Sequence, residues 1–121
     1  MLLVDAANVI GSRPTGWWRD RPGAAATFVS GVRTAVAAGR LSGPVVVVLE
    51  GAARGGVEEG TTEGVTVRHA AGSGDDTLVN VAAERTDHVT LVSADRGLRR
   101  RVEALGADVV GPRWLLERLD G

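Results

Sequence analysis

The sequence predicts an α/β fold, a three-layer α/β/α sandwich built around a mostly parallel sheet of about five strands. Short apolar runs such as Val45–Leu49 are typical of parallel strands that are buried on both faces. Helical patterns with one apolar face separate these runs along the chain, which is the pattern of a sheet covered by helices on both sides. With 121 residues, 44% of them hydrophobic and 24% charged, the chain is expected to form one domain, residues 1–121.

The predicted strands are short apolar segments, each ending near an acidic or turn-forming residue. Met1–Val4 is stopped by Asp5, and Val45–Leu49 is stopped by Glu50. The stretch Gly51–Gly64 is rich in Gly and Glu and is predicted to be a mobile loop. The other predicted strands are Gly64–Arg68, Val89–Ser93 and Asp108–Val110.

The predicted helices lie between these strands. In Pro22–Ala38, the residues Phe28, Val32 and Val36 recur at four-residue spacing and therefore share one face, and Gly39 is placed to end the helix. The other predicted helices are Asp75–Glu84, Arg96–Leu105 and a short final helix that begins at Pro112.

The composition excludes several kinds of chemistry. The chain contains no Cys and no Lys, which excludes disulfides, thiolate zinc sites, Schiff bases and the lysine of a P-loop. The two histidines, His69 and His88, are too few for an all-histidine metal site. Because the net charge is −1, binding of nucleic acid must depend on a local arginine patch. No apolar run approaches the roughly 20 residues that span a bilayer, so a cytoplasmic protein without membrane contact is expected.

Acidic residues fall at the ends of the predicted strands. Asp5 and Glu50 end the first two strands, Asp75 and Asp76 open the helix after the third, and Asp95 follows the fourth. Ligands of open parallel sheets bind beyond the carboxyl ends of the strands, so these acids are expected to meet at one edge. Such a cluster of like charges is costly unless a cation occupies it. Oxygen ligands favour a hard cation, Mg²⁺ or Mn²⁺, and these five acids are its predicted ligands.

Each acid also has a simpler structural explanation. Asp76 fits a capping box, Asp95 fits a helix N-cap, and Asn8 fits a turn. Glu50 fits a solvent-exposed loop. Asp5 is the exception, because the sequence predicts no helix whose dipole lies close enough to favour a charge at that position.

Three segments resemble the acidic motifs of the PIN-like nucleases: Val4–Gly11 (VDAANVIG), Gly74–Leu78 (GDDTL) and Thr90–Leu98 (TLVSADRGL). Within these nucleases the chain is similar to the NYN branch and its bacterial YacP-like members, and closest to a group of small actinobacterial proteins. The resemblance covers nearly the whole chain in the right order. It implies a PIN-like, Rossmann-like domain in which acids hold one or two divalent ions that activate water against an RNA phosphodiester.

The resemblance also implies roles for particular residues. Asp5 and Asn8 match the first motif, Asp76 with Asp75 beside it matches the second, and Asp95 matches the third. Asn8 would orient one of the acids or the scissile phosphate. The implied catalytic residues are therefore Asp5, Asn8, Asp76 and Asp95.

The loop that follows the first motif combines arginines with tryptophans, which suits single-stranded RNA because bases stack on indole rings and guanidinium groups neutralise phosphates. One of its two tryptophans is expected to pack onto the core and the other to be available to the substrate. Arg96 is a candidate because it adjoins Asp95, and Ser93 because its hydroxyl can donate to an acid or a phosphate. The predicted substrate-binding residues are Arg13, Trp17, Trp18, Arg19, Ser93 and Arg96.

The function predicted from these features is that of a metal-dependent endoribonuclease with RNA as its partner. Glu50 stands where relatives often carry an aspartate, which leaves open a catalytically weak module that binds RNA or nucleotides. A metal-dependent nucleotide (NTP) pyrophosphohydrolase is a third alternative, although the Glu-rich helical motifs of that activity are missing. A homodimer and an antitoxin partner are further interactions that the resemblance leaves open.

Overall fold

A six-stranded sheet forms the middle layer of the protein. The computed structural model describes residues 1–121. The strand order across the sheet is β3-β4-β2-β1-β5-β6; all neighbouring pairs are parallel except β3 and β4, which are antiparallel. The strands are β1 (Leu2–Asp5), β2 (Val45–Leu49), β3 (Gly60–Thr62), β4 (Val65–His69), β5 (Thr90–Val92) and β6 (Asp108–Val110).

Helices cover both faces of this sheet. Two 3₁₀ turns, Trp17–Arg19 and Gly51–Gly56, lie in the connections after the first helix and after β2. No helix is both long and apolar enough to cross a membrane. The helices are α1 (Ala6–Gly11), α2 (Arg21–Ala37), α3 (Gly74–Glu84), α4 (Arg96–Glu103) and α5 (Pro112–Leu119).

Alternate residues of the central strands point to opposite faces and so contribute to two separate cores. On one face, Val4 packs with Phe28 of α2 and Leu115 of α5. On the other face, Leu3 packs with Leu78 of α3 and with residues of α4. This arrangement confirms the predicted three-layer α/β/α fold, with six strands in the sheet where the sequence predicts about five.

Several short elements were not predicted from the sequence. The Gly51–Gly64 stretch, predicted to be a mobile loop, contains a 3₁₀ turn and the edge strand β3, whose three residues are all exposed and so lack an apolar pattern. Glu63 and Gly64 connect β3 to β4 with φ of 49° and 85°, the backbone signs of a two-residue type I′ hairpin turn. The helix α1 is only six residues long, which is too short for a helical periodicity to be recognised.

The 3₁₀ turn Gly51–Gly56 packs closely against the first turn of α2. A Cβ atom at Gly56 would lie 1.9 Å from the carbonyl oxygen of Pro22, so only glycine fits there without a backbone shift. We therefore expect Gly56→Ala to lower the free energy of unfolding by about 1–3 kcal/mol, the usual cost of overpacking. Thermal unfolding followed by circular dichroism measures this change.

Gly55 provides the matched control for this substitution. A Cβ atom at Gly55 would meet the Pro22 side chain at 3.8 Å, which is ordinary van der Waals contact. Gly55→Ala should therefore leave the melting temperature nearly unchanged. Equal melting temperatures for Gly56→Ala and the unsubstituted protein would show that the turn is not held tightly against α2.

Candidate functional site

The carboxyl ends of the parallel strands bring together several residues of the predicted acidic site. Asp5 ends β1, Glu50 directly follows β2, and Ser93 directly follows β5. Asp75 lies in the first turn of α3, after β4, and Asp95 lies directly before α4. Because these strands are parallel neighbours, the segments that follow them lie at one edge of the sheet.

Asp5 is the most buried of these acids, with 6% of its surface exposed. Its Oδ2 accepts a hydrogen bond from the Ser93 hydroxyl at 2.8 Å, and its Oδ1 accepts one from the Asn8 backbone N–H at 3.4 Å. Burial raises the pKa of Asp5 from 3.8 to about 6, an effect that these two hydrogen bonds oppose and that the charges of Asp75 and Glu50 increase.

Asp5 is also the N-cap of α1, which begins at the next residue. The sequence-based expectation that no nearby helix favours a charge at this position is therefore wrong, because it rested on α1 not being recognised. The helix N-terminus and the Ser93 hydroxyl both favour the ionised carboxylate. Even so, the pKa of Asp5 is raised, so burial and the neighbouring negative charges outweigh these favourable contacts.

A set of hydrogen bonds connects α1 to the segment between β5 and α4. The Asn8 side-chain oxygen accepts a hydrogen bond from the Ala94 backbone N–H at 2.8 Å. The Ser93 oxygen accepts one from the Asp95 backbone N–H at 3.1 Å. Asp95 in turn caps α4, since its Oδ1 accepts from the Leu98 N–H at 2.9 Å. Asn8 and Ser93 therefore orient the backbone that carries Asp95.

Glu50 is held against the start of α3. Its Oε2 accepts a hydrogen bond from the Gly74 backbone N–H at 2.7 Å, which places the carboxylate at the positive end of the helix dipole. A Cβ atom at Gly74 would lie 3.1 Å from the Glu50 carboxyl group, so a larger residue would push Glu50 away. The sequence pattern gave no indication of this contact, because Glu50 and Gly74 are 24 residues apart.

Asp75 and Asp76 occupy adjacent positions of α3 but have different surroundings. The pKa of Asp75 is raised, mainly by burial and then by the negative charges of Asp95 and Glu50. Asp76 is exposed, and its Oδ1 accepts a hydrogen bond from Arg101 Nη2 at 3.1 Å. The role of Asp76 as a metal ligand stays a prediction, but the contacts favour Asp75 as the member of the pair that acts with the other acids.

We refer to Asp5, Glu50, Asp75 and Asp95 as the acidic cluster. None of the four forms an ion pair, although the chain carries 14 arginines, and Asp5 and Asp75 are each affected by the charges of other members. As the side chains stand, no three Asp, Glu or His residues are placed to hold one metal ion together. Carboxylate oxygens are the ligands that Mg²⁺ prefers, and this ion keeps several waters when one or two carboxylates bind it.

The predicted substrate-binding residue Arg13 lies in a different environment. It forms a bidentate ion pair with Asp120, with Nη1–Oδ1 and Nη2–Oδ2 distances of 3.3 and 2.5 Å. This contact lowers the pKa of Asp120. A phosphate would have to displace Asp120 before binding Arg13, so its predicted role in RNA binding gains no support from the geometry. Arg96, by contrast, is exposed at the start of α4 and has no ion-pair partner.

Trp17 and Trp18, the two tryptophans predicted to bind the substrate, lie in the 3₁₀ turn Trp17–Arg19. Their rings contact each other edge to face, with centroids 5.8 Å apart. Trp18 is 51% exposed, and the Arg19 guanidinium lies 5.8 Å from its ring centroid. Trp17 is half-buried and lines a cavity of about 380 Å³ that also contacts Ala6 and Glu50. This cavity could not be predicted from the sequence, because small and apolar residues from separate segments form most of its lining.

The fold and these contacts define a Rossmann-like α/β domain with an acidic cluster at the carboxyl edge of its sheet. The same fold occurs in Rae1 (YacP) from Bacillus subtilis, whose crystal structure was solved as a W164L mutant. The TM-score is 0.69 with 20% sequence identity, and the match covers 98% of this chain and 74% of that chain. No protein-family model and no curated protein sequence matches the chain. The likeness to Rae1 therefore identifies a YacP-like fold.

Proposed function

We propose that the chain is a metal-dependent endoribonuclease that hydrolyses RNA phosphodiester bonds at the acidic cluster. The observation that carries this proposal is that Asp5, Glu50, Asp75 and Asp95 meet at the carboxyl edge of the sheet and none of them forms an ion pair. Burial, and then the negative charges of other cluster members, raise the pKa values of Asp5 and Asp75, and perturbed pKa values of this kind are typical of functional sites. The YacP-like fold adds support, as do the three sequence segments that resemble the acidic motifs of the PIN-like nucleases.

The acidic cluster would hold Mg²⁺ or Mn²⁺, in part through water molecules. Such an ion supplies a Lewis acid for the phosphate oxygens and a water of lowered pKa. Asp5 stays in place through the Ser93 hydroxyl, Asp95 through its bond to the α4 backbone, and Glu50 through the first N–H of α3. These carboxylates are therefore oriented before any ligand binds, which lowers the cost of assembling the site.

Exposed arginines near this edge would bind the RNA backbone. Arg96 adjoins Asp95, and Arg19 lies beside the exposed ring of Trp18. Neither of them forms an ion pair, so each can approach a phosphate without first losing a carboxylate. Because the net charge of the chain is −1, these local charges must provide the attraction, and binding should weaken strongly as salt increases.

A second candidate function is that of a module that binds RNA or nucleotides with little turnover. It is favoured by the observation that no three acidic or histidine side chains are placed to hold one ion as they stand. The two functions differ in whether RNA is cut in the presence of a divalent cation.

Cleavage of end-labelled single-stranded and hairpin RNA tests the proposal. We expect cleavage with Mg²⁺ or Mn²⁺, none with EDTA, and a loss of about 100-fold or more in Asp95→Asn. Asparagine is also a good N-cap, so this substitution should leave α4 intact. Asp20→Asn is the matched control, because Asp20 caps α2 with the same 2.9 Å bond to a backbone N–H and lies outside the acidic cluster.

The two variants separate the outcomes. Loss of cleavage in Asp95→Asn with full cleavage in Asp20→Asn supports catalysis at the acidic cluster. Cleavage that persists in EDTA or in Asp95→Asn contradicts it. RNA that binds but stays intact in both metals favours the binding module.

A further inference from the structure

We propose that the cavity beside Trp17 binds one base of the RNA chain, stacked against the indole ring. This inference rests on the proposed function and adds to it a base-binding subsite next to the acidic cluster. We call this cavity the Trp17 cavity.

The Trp17 cavity is directly connected to the acidic cluster through Glu50. Glu50 lines the cavity and belongs to the cluster, and its charge adds to the burial that raises the pKa values of Asp5 and Asp75. A base in the cavity would therefore belong to a nucleotide close to the phosphate that the cluster acts on. The cavity volume of about 380 Å³ lies near the lower end of the range for small-molecule sites, which suits one base.

The lining of the cavity fits the chemistry of a base. The Trp17 ring supplies an aromatic wall, and Ala6, Leu49 and Ala53 supply small apolar surfaces. Glu50 uses Oε2 to accept from the Gly74 backbone, whereas its Oε1 accepts no hydrogen bond. Every nucleobase carries at least one N–H group on its edge, so Oε1 offers that edge an acceptor.

The aromatic wall is already held in position. The Trp18 ring contacts the Trp17 ring edge to face, at an interplanar angle of 88°. The Arg21 guanidinium lies 5.4 Å from the Trp17 ring centroid and also lines the cavity, so it supplies positive charge next to the position of the base. An aromatic ring beside a guanidinium is the combination that single-stranded RNA sites use. This favours a base of RNA over an apolar side chain of a protein.

Equilibrium binding tests the inference separately from catalysis. The probe is a 5′-fluorescein-labelled 12-nucleotide single-stranded RNA, followed by anisotropy in Mg²⁺, with every protein carrying Asp5→Asn to prevent cleavage. Because stacking on an aromatic ring is lost, Trp17→Ala should weaken binding by about 5- to 100-fold, and Trp17→Phe should restore much of the loss. The slope of log Kd against log salt should not change, because no phosphate contact is removed.

A second substitution tests the cavity without removing Trp17. A Cβ atom at Gly72, which lines the cavity, would meet no atom within 4 Å, so Gly72→Leu should fold and reduce the space for a base. We expect it to weaken RNA binding by roughly 10-fold, in line with the loss of a stacked base. Gly31→Leu is the control, because a Cβ atom at Gly31 also meets no atom within 4 Å and Gly31 lies outside the cavity lining.

Each outcome has a defined meaning. Weaker binding in Trp17→Ala and Gly72→Leu, with Gly31→Leu unchanged, supports the inference even if the protein cuts no RNA. Binding within twofold in both cavity variants overturns it, even if cleavage is confirmed. Binding of 5′-AMP that Gly72→Leu abolishes, with RNA binding unaffected, also overturns it and assigns the cavity to a free nucleotide.

Discussion

Asp5→Asn is expected to abolish RNA cleavage and at the same time to make the protein more stable at neutral pH. The substitution removes a carboxylate of the acidic cluster, so cleavage should fall by about 100-fold or more. It also removes a buried negative charge that lies close to the charges of Asp75 and Glu50. Burial raises the pKa of Asp5 from 3.8 to about 6. At pH 7, ionising this group therefore costs about 3 kcal/mol more in the folded protein than in the unfolded chain.

The stability gain should depend on pH with a defined sign. The folded protein holds the Asp5 proton up to a pH of about 6, whereas the unfolded chain loses it near 3.8. Between these values the folded state binds more protons, so the contribution of Asp5 makes the protein less stable as the pH rises. Asparagine does not titrate. The advantage of Asp5→Asn should therefore be small below pH 4, grow between pH 4 and 6, and reach roughly 3 kcal/mol at pH 7.

Urea unfolding in EDTA at pH 4, 5 and 7 measures this difference, and Asp120→Asn provides a control of opposite sign. The pKa of Asp120 is lowered by its ion pair with Arg13, so this carboxylate stabilises the folded state above the pKa of the unfolded chain. That contribution is lost as the pH falls through the lowered pKa. Asp120→Asn should therefore be slightly less stable than the unsubstituted protein at pH 7. A lower stability of Asp5→Asn at pH 7 would show that Asp5 stabilises the fold as a helix cap, and that its ionised carboxylate does not destabilise the folded protein.

The edge of the sheet at which the acids lie could be predicted from the sequence, because it follows from the fold. Val45–Leu49 is a β-branched run that forms a buried strand at the predicted bounds, and parallel strands place the residues that follow them at one edge. Once the strands were assigned, the positions of Asp5, Glu50 and Asp95 followed. No detail of side-chain packing was needed.

The details that the sequence did not predict depend on contacts between distant residues or on very short elements. The hydrogen bond from Gly74 to Glu50 and the one from Ala94 to Asn8 each join separate segments, so no local pattern indicates them. The helix α1 is a single short element whose start depends on the cap that Asp5 provides. The Trp17 cavity is a gap between packed segments, and a gap has no signature in a sequence.

Asp75→Asn should reduce RNA cleavage far more than Asp76→Asn, although the two residues are neighbours and the motif resemblance alone favours Asp76. Burial, and then the negative charges of Asp95 and Glu50, raise the pKa of Asp75, so Asp75 belongs with the acids that would hold the metal. We expect Asp75→Asn to lower the cleavage rate by about 100-fold. Asp76 is exposed and pairs with Arg101, an interaction worth ~0–1 kcal/mol, so Asp76→Asn should change the rate less than about fivefold.

Asp75→Asn and Asp76→Asn are matched substitutions apart from the surroundings of the two side chains. Both remove one negative charge from the first turn of α3, so any effect of the helix dipole should be similar in the two variants. Single-turnover cleavage across a series of Mg²⁺ concentrations separates a metal effect from a general one, because losing a ligand raises the Mg²⁺ concentration that half-saturates the rate. That concentration should rise in Asp75→Asn and not in Asp76→Asn. The reverse result would mean that Asp76 leaves Arg101 to join the metal when RNA and metal bind, and it would replace Asp75 in the acidic cluster.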